Sequence, residues 1–355
     1  MKPDISVIMS VYNGEDYLEE AVQSVIDQTF KIWELIIIND CSTDTTEVIL
    51  DAFSNKDERI KVYKNEVNLK LPASLNRAVS LASGKYIARM DADDICLPER
   101  LEKQYAFMEA HSDTALSSCR FLTVKNGVYM SGGMGGRCDA NAIRAMLLVV
   151  NPILHPGVIA KAEIFRKYPY DTSLTCTEDL ELWTRLAAAG EKLEILPECL
   201  LIYRLHDKQI TSTTYERQCT EVLRIEQKYY AELSVELKNE LHDFYIHGIY
   251  FRNQSDINKF IEYAKWLRGA AGAHFDRDAL NYALFETLAE YKRRGMEKKA
   301  VLKGMLAFCP FFLIREMYRR KKSASKDLQK CMYVAKQLEL CQIGGKKEFP
   351  IYKKR

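Results

Sequence analysis

The sequence predicts an α/β fold with a mostly parallel central sheet. Three observations carry that expectation. Short apolar runs alternate with segments of helical spacing, the pattern of βαβ units. One run, Leu35-Ile36-Ile37-Ile38, is apolar at every position, as a parallel strand covered on both faces requires. Polar turns carrying Tyr12, Asp40 and the Asp91–Asp94 cluster follow three of the runs, where the carboxyl ends of parallel strands bind ligands.

Taken in order, Ile5 to Met9 reads as the first strand and Ser10 to Glu15 as a polar turn. Leu18, Ala21, Val22, Val25 and Ile26 then repeat at helical spacing between Tyr17 and Gln28. Leu35–Ile38 is the second strand, ending in Asn39-Asp40-Cys41-Ser42-Thr43-Asp44. Asp44 with Glu47 has the spacing of a capping pair for a helix through Phe53. Ile60 to Tyr63 is a weaker strand. A polar loop over Asn65 to Lys70 leads into a helix from Pro72 to Ala82, proline fitting a first helical turn. Tyr86 to Met90 is a fourth strand, and a helix runs from Pro98 to His111. Thr114 to Tyr129 reads as strand and turn, Asp139 to Val150 as helix, Val158 to Ala160 as strand, and Glu178 to Gly190 as helix. Leu200 to His206 closes the set as the last strand.

The organising stretch is Arg89-Met90-Asp91-Ala92-Asp93-Asp94. Carboxylates crowded at a strand end resist joint ionisation, and a hard divalent cation with oxygen ligands relieves the repulsion. The alternative is a solvated acidic turn with Asp94 starting the helix near Pro98. Tyr12, Asp40 and the Asp91–Asp94 cluster occupy three strand ends, and this convergence argues for one site. Glu178 and Asp179 fall in the first turn of a helix, where the dipole also favours negative charge. No G-x-G-x-x-G follows the first strand and no P-loop signature occurs, so ordinary dinucleotide and P-loop sites lose support. The Gly132–Gly136 stretch is too irregular for either and reads as a loop.

Composition sets wider bounds. The chain has 355 residues, enough for two domains, with 47% hydrophobic and 28% charged residues, as in ordinary folded proteins. Lys+Arg is 51 against Asp+Glu 49, a balance that singles out no charged partner, and no nucleic-acid partner is expected. Ten cysteines without C-x-x-C spacing suggest reduced thiols in the cytoplasm. No signal-peptide pattern or bilayer-length apolar run is evident.

These motifs resemble an inverting family 2 glycosyltransferase of the bacterial cell-surface polysaccharide type, with the GT-A nucleotide-diphospho-sugar transferase fold. The resemblance spans roughly residues 4 to 212. It rests on Ser6 to Asn13, Asn39 to Asp44, Asn68 to Leu71 with Ser74 to Arg77, Ala88 to Asp94, His155-Pro156, Glu178-Asp179-x-x-Leu182-Trp183-x-Arg185-Leu186 and Tyr203-Arg204-x-His206. One departure is Lys70, where the family commonly has glycine. The resemblance implies a metal-dependent hexosyl- or N-acetylhexosaminyltransferase. It would use a nucleotide-sugar donor, UDP-linked by expectation, Mn²⁺ or Mg²⁺, and a saccharide or lipid-linked acceptor.

Residue by residue, the resemblance implies that Tyr12 stacks on the nucleobase and Asp40 hydrogen-bonds it. Val11, Glu15, Lys70, Asn76, Arg89, Asp91 and Ala92 complete the nucleotide site, with Asp91 at the ribose. Asp93 and His206 are the implied metal ligands, Asp179 the general base, and Glu178 its neighbour that positions the acceptor or the base. Arg89 and Arg204 face the diphosphate or make strand-end salt bridges, and His155 touches sugar or acceptor or makes a structural hydrogen bond. Two other readings are a sugar-nucleotide nucleotidyltransferase and a non-catalytic binding protein of the same fold. The first would need basic residues after strand one, and Ser10 to Gly14 has none.

From Tyr215 onward the pattern is helical, giving an expected division into a catalytic domain over 1–212 and a helical domain over 213–355. Within the latter, 300–322 carries aromatic and aliphatic residues between Lys298-Lys299 and Arg319–Lys322, broken at Pro310. That pattern suits either an interfacial helix on anionic lipid, at the inner face of the membrane, or a core helix with a solvated basic end.

Overall fold

The computed structural model describes residues 2–125, 128–130, 139–206, 215–232, 254–271 and 275–293. The chain begins β1 (Ile5–Val11), α1 (Leu18–Ile26), β2 (Trp33–Asn39), α2 (Thr46–Ser54), β3 (Ile60–Lys64), α3 (Leu71–Leu81) and β4 (Tyr86–Arg89). These four strands are parallel, in the order β3-β2-β1-β4. All seven residues of β2 are buried. Its alternating side chains feed two separate cores, as the strand pleat dictates. Ile36 and Ile38 pack with Leu75, Ala78 and Val79 of α3. Leu35 and Ile37 pack with Leu18 and Val22 of α1 and Leu50 of α2.

Next come β5 (Ile95–Cys96), α4 (Arg100–Ala110), β6 (Thr114–Lys125), β7 (Val128–Met130), α5 (Ala140–Met146), a 3-10 turn (His155–Gly157), β8 (Ile159–Lys161), α6 (Ala162–Lys167), α7 (Glu178–Ala188) and β9 (Lys192–Leu205). They extend the sheet to nine strands, β3-β2-β1-β4-β8-β6-β9-β5, with β7 beside β6. The β4–β8, β8–β6 and β9–β5 pairs are antiparallel, so the sheet is mixed at this side.

Two strands differ from the sequence expectation. β9 begins at Lys192, well before Leu200. Pro197 within it marks a run as unsuited to a regular ladder, and the sheet accommodates it with a bulge. Cys119 pairs Leu196 while the next residue, Arg120, pairs Cys199. The short β5, expected as part of a turn, pairs Ile95 with Ile202 and Cys96 with Leu201. That pairing brings the Asp91–Asp94 turn against the end of β9. The Asp44–Glu47 capping pair forms only in part: Asp44 accepts from the Thr46 amide at 3.0 Å, while Glu47 pairs with Lys64 at 2.6 Å.

The opposite edge of the sheet is closed by a buried polar knot. Ser6 Oγ donates to Glu34 at 2.6 Å and accepts from the Gly84 amide at 2.8 Å. A Cβ at Gly84 would lie 2.7 Å from the Ser6 amide nitrogen, so the close approach of β1 requires glycine there.

The remaining described helices are α8 (Tyr215–Glu232), α9 (Gln254–Ala271) and α10 (Arg277–Arg293). Their Ile225, Tyr229, Leu267 and Leu280 share one apolar core with Ile143 of α5 and Leu182 and Trp183 of α7. No described helix is long and apolar enough to cross a membrane. The expected domain boundary near 212, the Gly132–Gly136 loop and the 300–322 stretch lie outside the described residues. Among the described residues no cysteine forms a disulfide.

Candidate active site

The carboxyl edge of β1, β2 and β3 is held together by loop-to-loop hydrogen bonds. The Asn13 side chain accepts from the Thr43 amide at 2.8 Å, and the Asn13 amide donates to Ser42 Oγ at 3.0 Å. Glu15 accepts from the Thr45 amide and hydroxyl at 3.1 and 2.6 Å. Asp40, 2% exposed, accepts from Asn65 Nδ2 at 2.7 Å and from the amides of Leu69 and Lys70 at 2.8 and 2.9 Å. Three of a carboxylate's roughly four acceptor positions are thus filled.

Backbone strain concentrates at the same edge. Among the described residues, the non-glycine positions with positive φ are Asn13 (52°), Cys41 (64°) and Lys70 (71°). Lys70, with ψ 164°, lies in a region that side chains other than glycine's rarely tolerate. The sequence departure at this residue therefore has a physical counterpart. Tyr12 stands clear beside them, 52% exposed, as an aromatic face.

The end of β4 is different in kind. Asp91, Asp93 and Asp94 bring one carboxylate oxygen each within 4.8 Å of one another. Burial and the neighbouring Asp93 raise Asp91, against the pull of Arg89, to a pKa of about 6. Burial, then Asp91 and Asp93, holds Asp94 well above the ordinary carboxylate range. Asp94 is fully buried; its Oδ1 accepts from the Arg204 amide at 3.0 Å, and its Oδ2 has no hydrogen-bond partner among the described residues. His206 Nε2 sits 2.9 Å from Asp93 Oδ2, with its ring stacked on Tyr17 at 4.8 Å. A buried, unsatisfied oxygen within an all-oxygen cluster beside an imidazole is a donor set that fits a divalent cation. The alternative of Asp94 as a helix start is overturned, because α4 begins at Arg100 and Asp94 points into the cluster.

A second acidic group faces this one. Glu178 and Asp179 open α7, which starts after Thr177. Glu178 is 4% exposed; burial, then the adjacent Asp179, raises it to a pKa of about 7. Its Oε1 lies 3.7 Å from His155 Nδ1, and its Oε2 has no hydrogen-bond partner among the described residues. Asp179 is also raised, chiefly by burial, although its Oδ1 accepts from the Leu180 amide at 2.7 Å and its Oδ2 from Asn151 Nδ2 at 2.8 Å. Asp91 feels the charge of Asp179, Glu178 feels that of Asp91, and the Arg89 guanidinium opposes the shift in each. The two acidic groups therefore share one electrostatic site.

A family model described as glycosyl transferase family 2 matches residues 6–161. An uncharacterised glycosyltransferase of Methanocaldococcus jannaschii is 38% identical over 210 residues, covering 58% of this chain and 72% of its own. The chain belongs to glycosyltransferase family 2. A Bacillus subtilis glycosyltransferase, TuaG, named for teichuronic acid biosynthesis, is 33% identical over 61% of this chain and 84% of its own. Escherichia coli WbnJ, named for O-antigen biosynthesis, is 33% identical over 58% and 80%. The GT-A fold recurs in Staphylococcus aureus TarS, solved with UDP-GlcNAc, at TM-score 0.56 and 19% identity over 89% of this chain and 92% of that one. It recurs also in the Pyrobaculum calidifontis mannosyltransferase PcManGT, solved with GDP-Man and Mn²⁺, at TM-score 0.54 and 16% identity over 90% and 88%.

Within this glycosyltransferase, several of the expected site residues have partners in the protein itself. The Val11 side chain is buried in the core and its carbonyl accepts from the Asp40 amide at 2.8 Å. Asn76 gives both ends of its amide to the Tyr170 main chain, each at 2.9 Å. Arg89 is buried and paired with Asp91, and Arg204 is paired with Glu20, so both make strand-end salt bridges. His155 is buried, hydrogen-bonded to Tyr170 Oη at 2.9 Å and edge-on to Trp183; burial drives its pKa well down. Glu178 faces that histidine rather than standing exposed to an acceptor. Asp91, expected at the ribose, lies in the carboxylate cluster, with Ala92 half-buried in the same turn. Asp94 and Asn151 emerge as members of the site. Asp94 was legible as the third acid of its motif, whereas nothing local marks Asn151.

Proposed function

We propose that this glycosyltransferase moves a sugar from a UDP-linked donor to a hydroxyl of a saccharide or lipid-linked acceptor, with inversion, in surface polysaccharide synthesis. The observation that carries the reading is the facing pair of acidic groups: a metal-fit cluster at the end of β4 and a carboxylate dyad at the start of α7. The names of TuaG and WbnJ support the polysaccharide context, and the ligands of TarS and PcManGT support a nucleotide sugar.

In this reading Tyr12 offers its exposed ring to the nucleobase, and Asp40 has one acceptor position left for it. Asp93, with Asp91, Asp94 and His206, holds a divalent cation, Mn²⁺ or Mg²⁺. When bound, such an ion supplies Lewis-acid stabilisation of the departing diphosphate. Asp179 accepts the proton of the acceptor hydroxyl as that oxygen attacks the anomeric carbon from the face opposite the nucleotide. One base on one face inverts the centre, and general-base assistance of this kind contributes typically about 10²–10⁴-fold. Its raised pKa makes Asp179 a stronger base than an ordinary aspartate, while Arg89 keeps it ionisable. Glu178, burdened by the same burial, stays beneath it against His155.

A panel of UDP-GlcNAc, UDP-glucose, UDP-galactose and GDP-mannose, read by hydrolysis and thermal shift with and without Mn²⁺, tests the donor class. UDP sugars with Mn²⁺ are expected to give the largest shift. A shift by GDP-mannose alone would overturn the UDP reading. The basic, aromatic 300–322 stretch is part of the same proposal as a contact to anionic lipid near a lipid-linked acceptor. Failure of the protein to float with anionic vesicles would remove it.

A further inference from the structure

We propose that Asn151 is the positioning residue of the Asp179 carboxylate, and that the helical segment fixes Asn151; the proposal rests on the reading of Asp179 as the base. An aspartate carboxylate rotates broadly about its last torsion unless it is held. Here both oxygens are engaged, from different directions. Leu180, on the same helix, donates its amide to Oδ1 at 2.7 Å, which any residue opening a helix would offer. Asn151 reaches in from the segment after α5 and donates Nδ2 to Oδ2 at 2.8 Å. Each oxygen keeps a second acceptor position, so the carboxylate is oriented without losing its capacity to take a proton.

Asn151 is itself built in. Its Oδ1 accepts from the Ile153 amide at 3.1 Å, so the donor end is turned toward Asp179. Three residues earlier, the Leu148 carbonyl accepts from Tyr230 Oη of α8 at 2.7 Å and Tyr263 Oη of α9 at 3.3 Å. The Arg144 carbonyl accepts from Tyr229 Oη at 3.0 Å. On the other side, Glu221 of α8 accepts from Thr177 Oγ1 at 2.7 Å, immediately before the Glu178–Asp179 pair. The helices thus grip both the segment carrying Asn151 and the start of α7. Through these contacts α8 and α9 take part in the chemistry by holding the segments that carry Asn151 and Asp179.

The test uses the full chain. Asn151→Asp keeps the acceptor for the Ile153 amide but replaces the donor facing Asp179 with a second carboxylate. Turnover of the panel's best nucleotide sugar with Mn²⁺ should fall about 10²-fold, as for a misplaced catalytic group, with KM for that donor unchanged. Its Tm should fall, and the exchanged pair Asn151→Asp/Asp179→Asn should recover the Tm, because the amide now donates in the reverse sense. Turnover should stay lost in the exchanged pair. If Asn151 serves only its own turn, N151D matches wild type in both readouts and the proposal fails. It also fails if the exchanged pair does not recover Tm, an arm that needs no substrate. Asp179→Asn alone separates the two readings: full turnover in that variant refutes the base, whereas an inactive D179N beside a fully active N151D refutes only the role of Asn151.

Discussion

The carboxyl edge of the sheet is built in two opposite ways. At the ends of β1, β2 and β3, hydrogen bonds are nearly complete: Asp40 has three donors, and Asn13 and Glu15 tie one loop to the next. At the end of β4 three acids are crowded, the buried Asp94 leaves one oxygen without a hydrogen-bond partner among the described residues, and Asp91 and Asp94 have raised proton affinities. The first half is assembled before any ligand arrives. The second half holds negative charge that its own Arg89 only partly offsets, a donor set that a divalent cation would complete. Under the proposed function, the nucleobase end of the donor falls to the first half and the reacting end to the second.

The largest expected effect falls on the reactive half. Asp179→Asn should lower transfer by about 10²–10⁴-fold while UDP binding, measured calorimetrically, is retained. The two halves should then part company in stability. Asp40→Ala removes the acceptor of the buried Asn65 donor and of the Leu69 and Lys70 amides, which at about 1–3 kcal/mol for a charged hydrogen-bond acceptor lowers Tm by several degrees. Asp94→Asn should instead leave the Tm of the metal-free protein unchanged or raised, since the neutral amide can still accept from the Arg204 amide and cannot carry a charge into the buried site. Equal losses in both variants would erase the contrast.

The pH dependence sharpens it further. Asp91 and Glu178 have folded-state values of about 6 and 7, above the ordinary carboxylate range. Between those values and their unfolded ones, the folded protein binds more protons than the unfolded chain, so stability falls as pH rises. Stabilisation by these groups is complete below the unfolded values near pH 4 and is lost as pH climbs through 6 and 7. Metal-free Tm should therefore drop between pH 5 and pH 8, and Mn²⁺ at pH 8 should recover much of the drop. The smallest effect is at Lys70, where φ is 71°. Lys70→Gly should relieve strain of about 1 kcal/mol, raising Tm by about 2–4 °C in thermal melts.

Most of the scaffold was legible because it rests on local pattern. The apolar run at Leu35–Ile38, the helical spacing at Leu18–Ile26 and the acids after Tyr86–Arg89 each announce themselves in a few residues. Lys70 was legible only against a glycine-bearing family pattern, and its positive φ supplies the cause. What escaped depended on distant partners. Asn76 looks like a ligand contact until Tyr170, 94 residues on, takes its amide. Arg204 meets Glu20 across 184 residues, and Asn151 meets Asp179 across 28. The start of β9 was hidden by Pro197, whose effect a bulge absorbs. No periodicity reports such pairings, because they are set by sheet order rather than by spacing along the chain.

The proposed function requires a divalent cation at the acid cluster after β4 to hold the nucleotide. Calorimetric titration of UDP, in Mn²⁺ and in EDTA, for the full chain and its Asp93→Ala variant, tests it most directly. Mn²⁺ is expected to tighten UDP binding by at least about tenfold, roughly 1.4 kcal/mol, with the gain vanishing in Asp93→Ala. Equal UDP affinity with and without Mn²⁺ in the unsubstituted chain would contradict it.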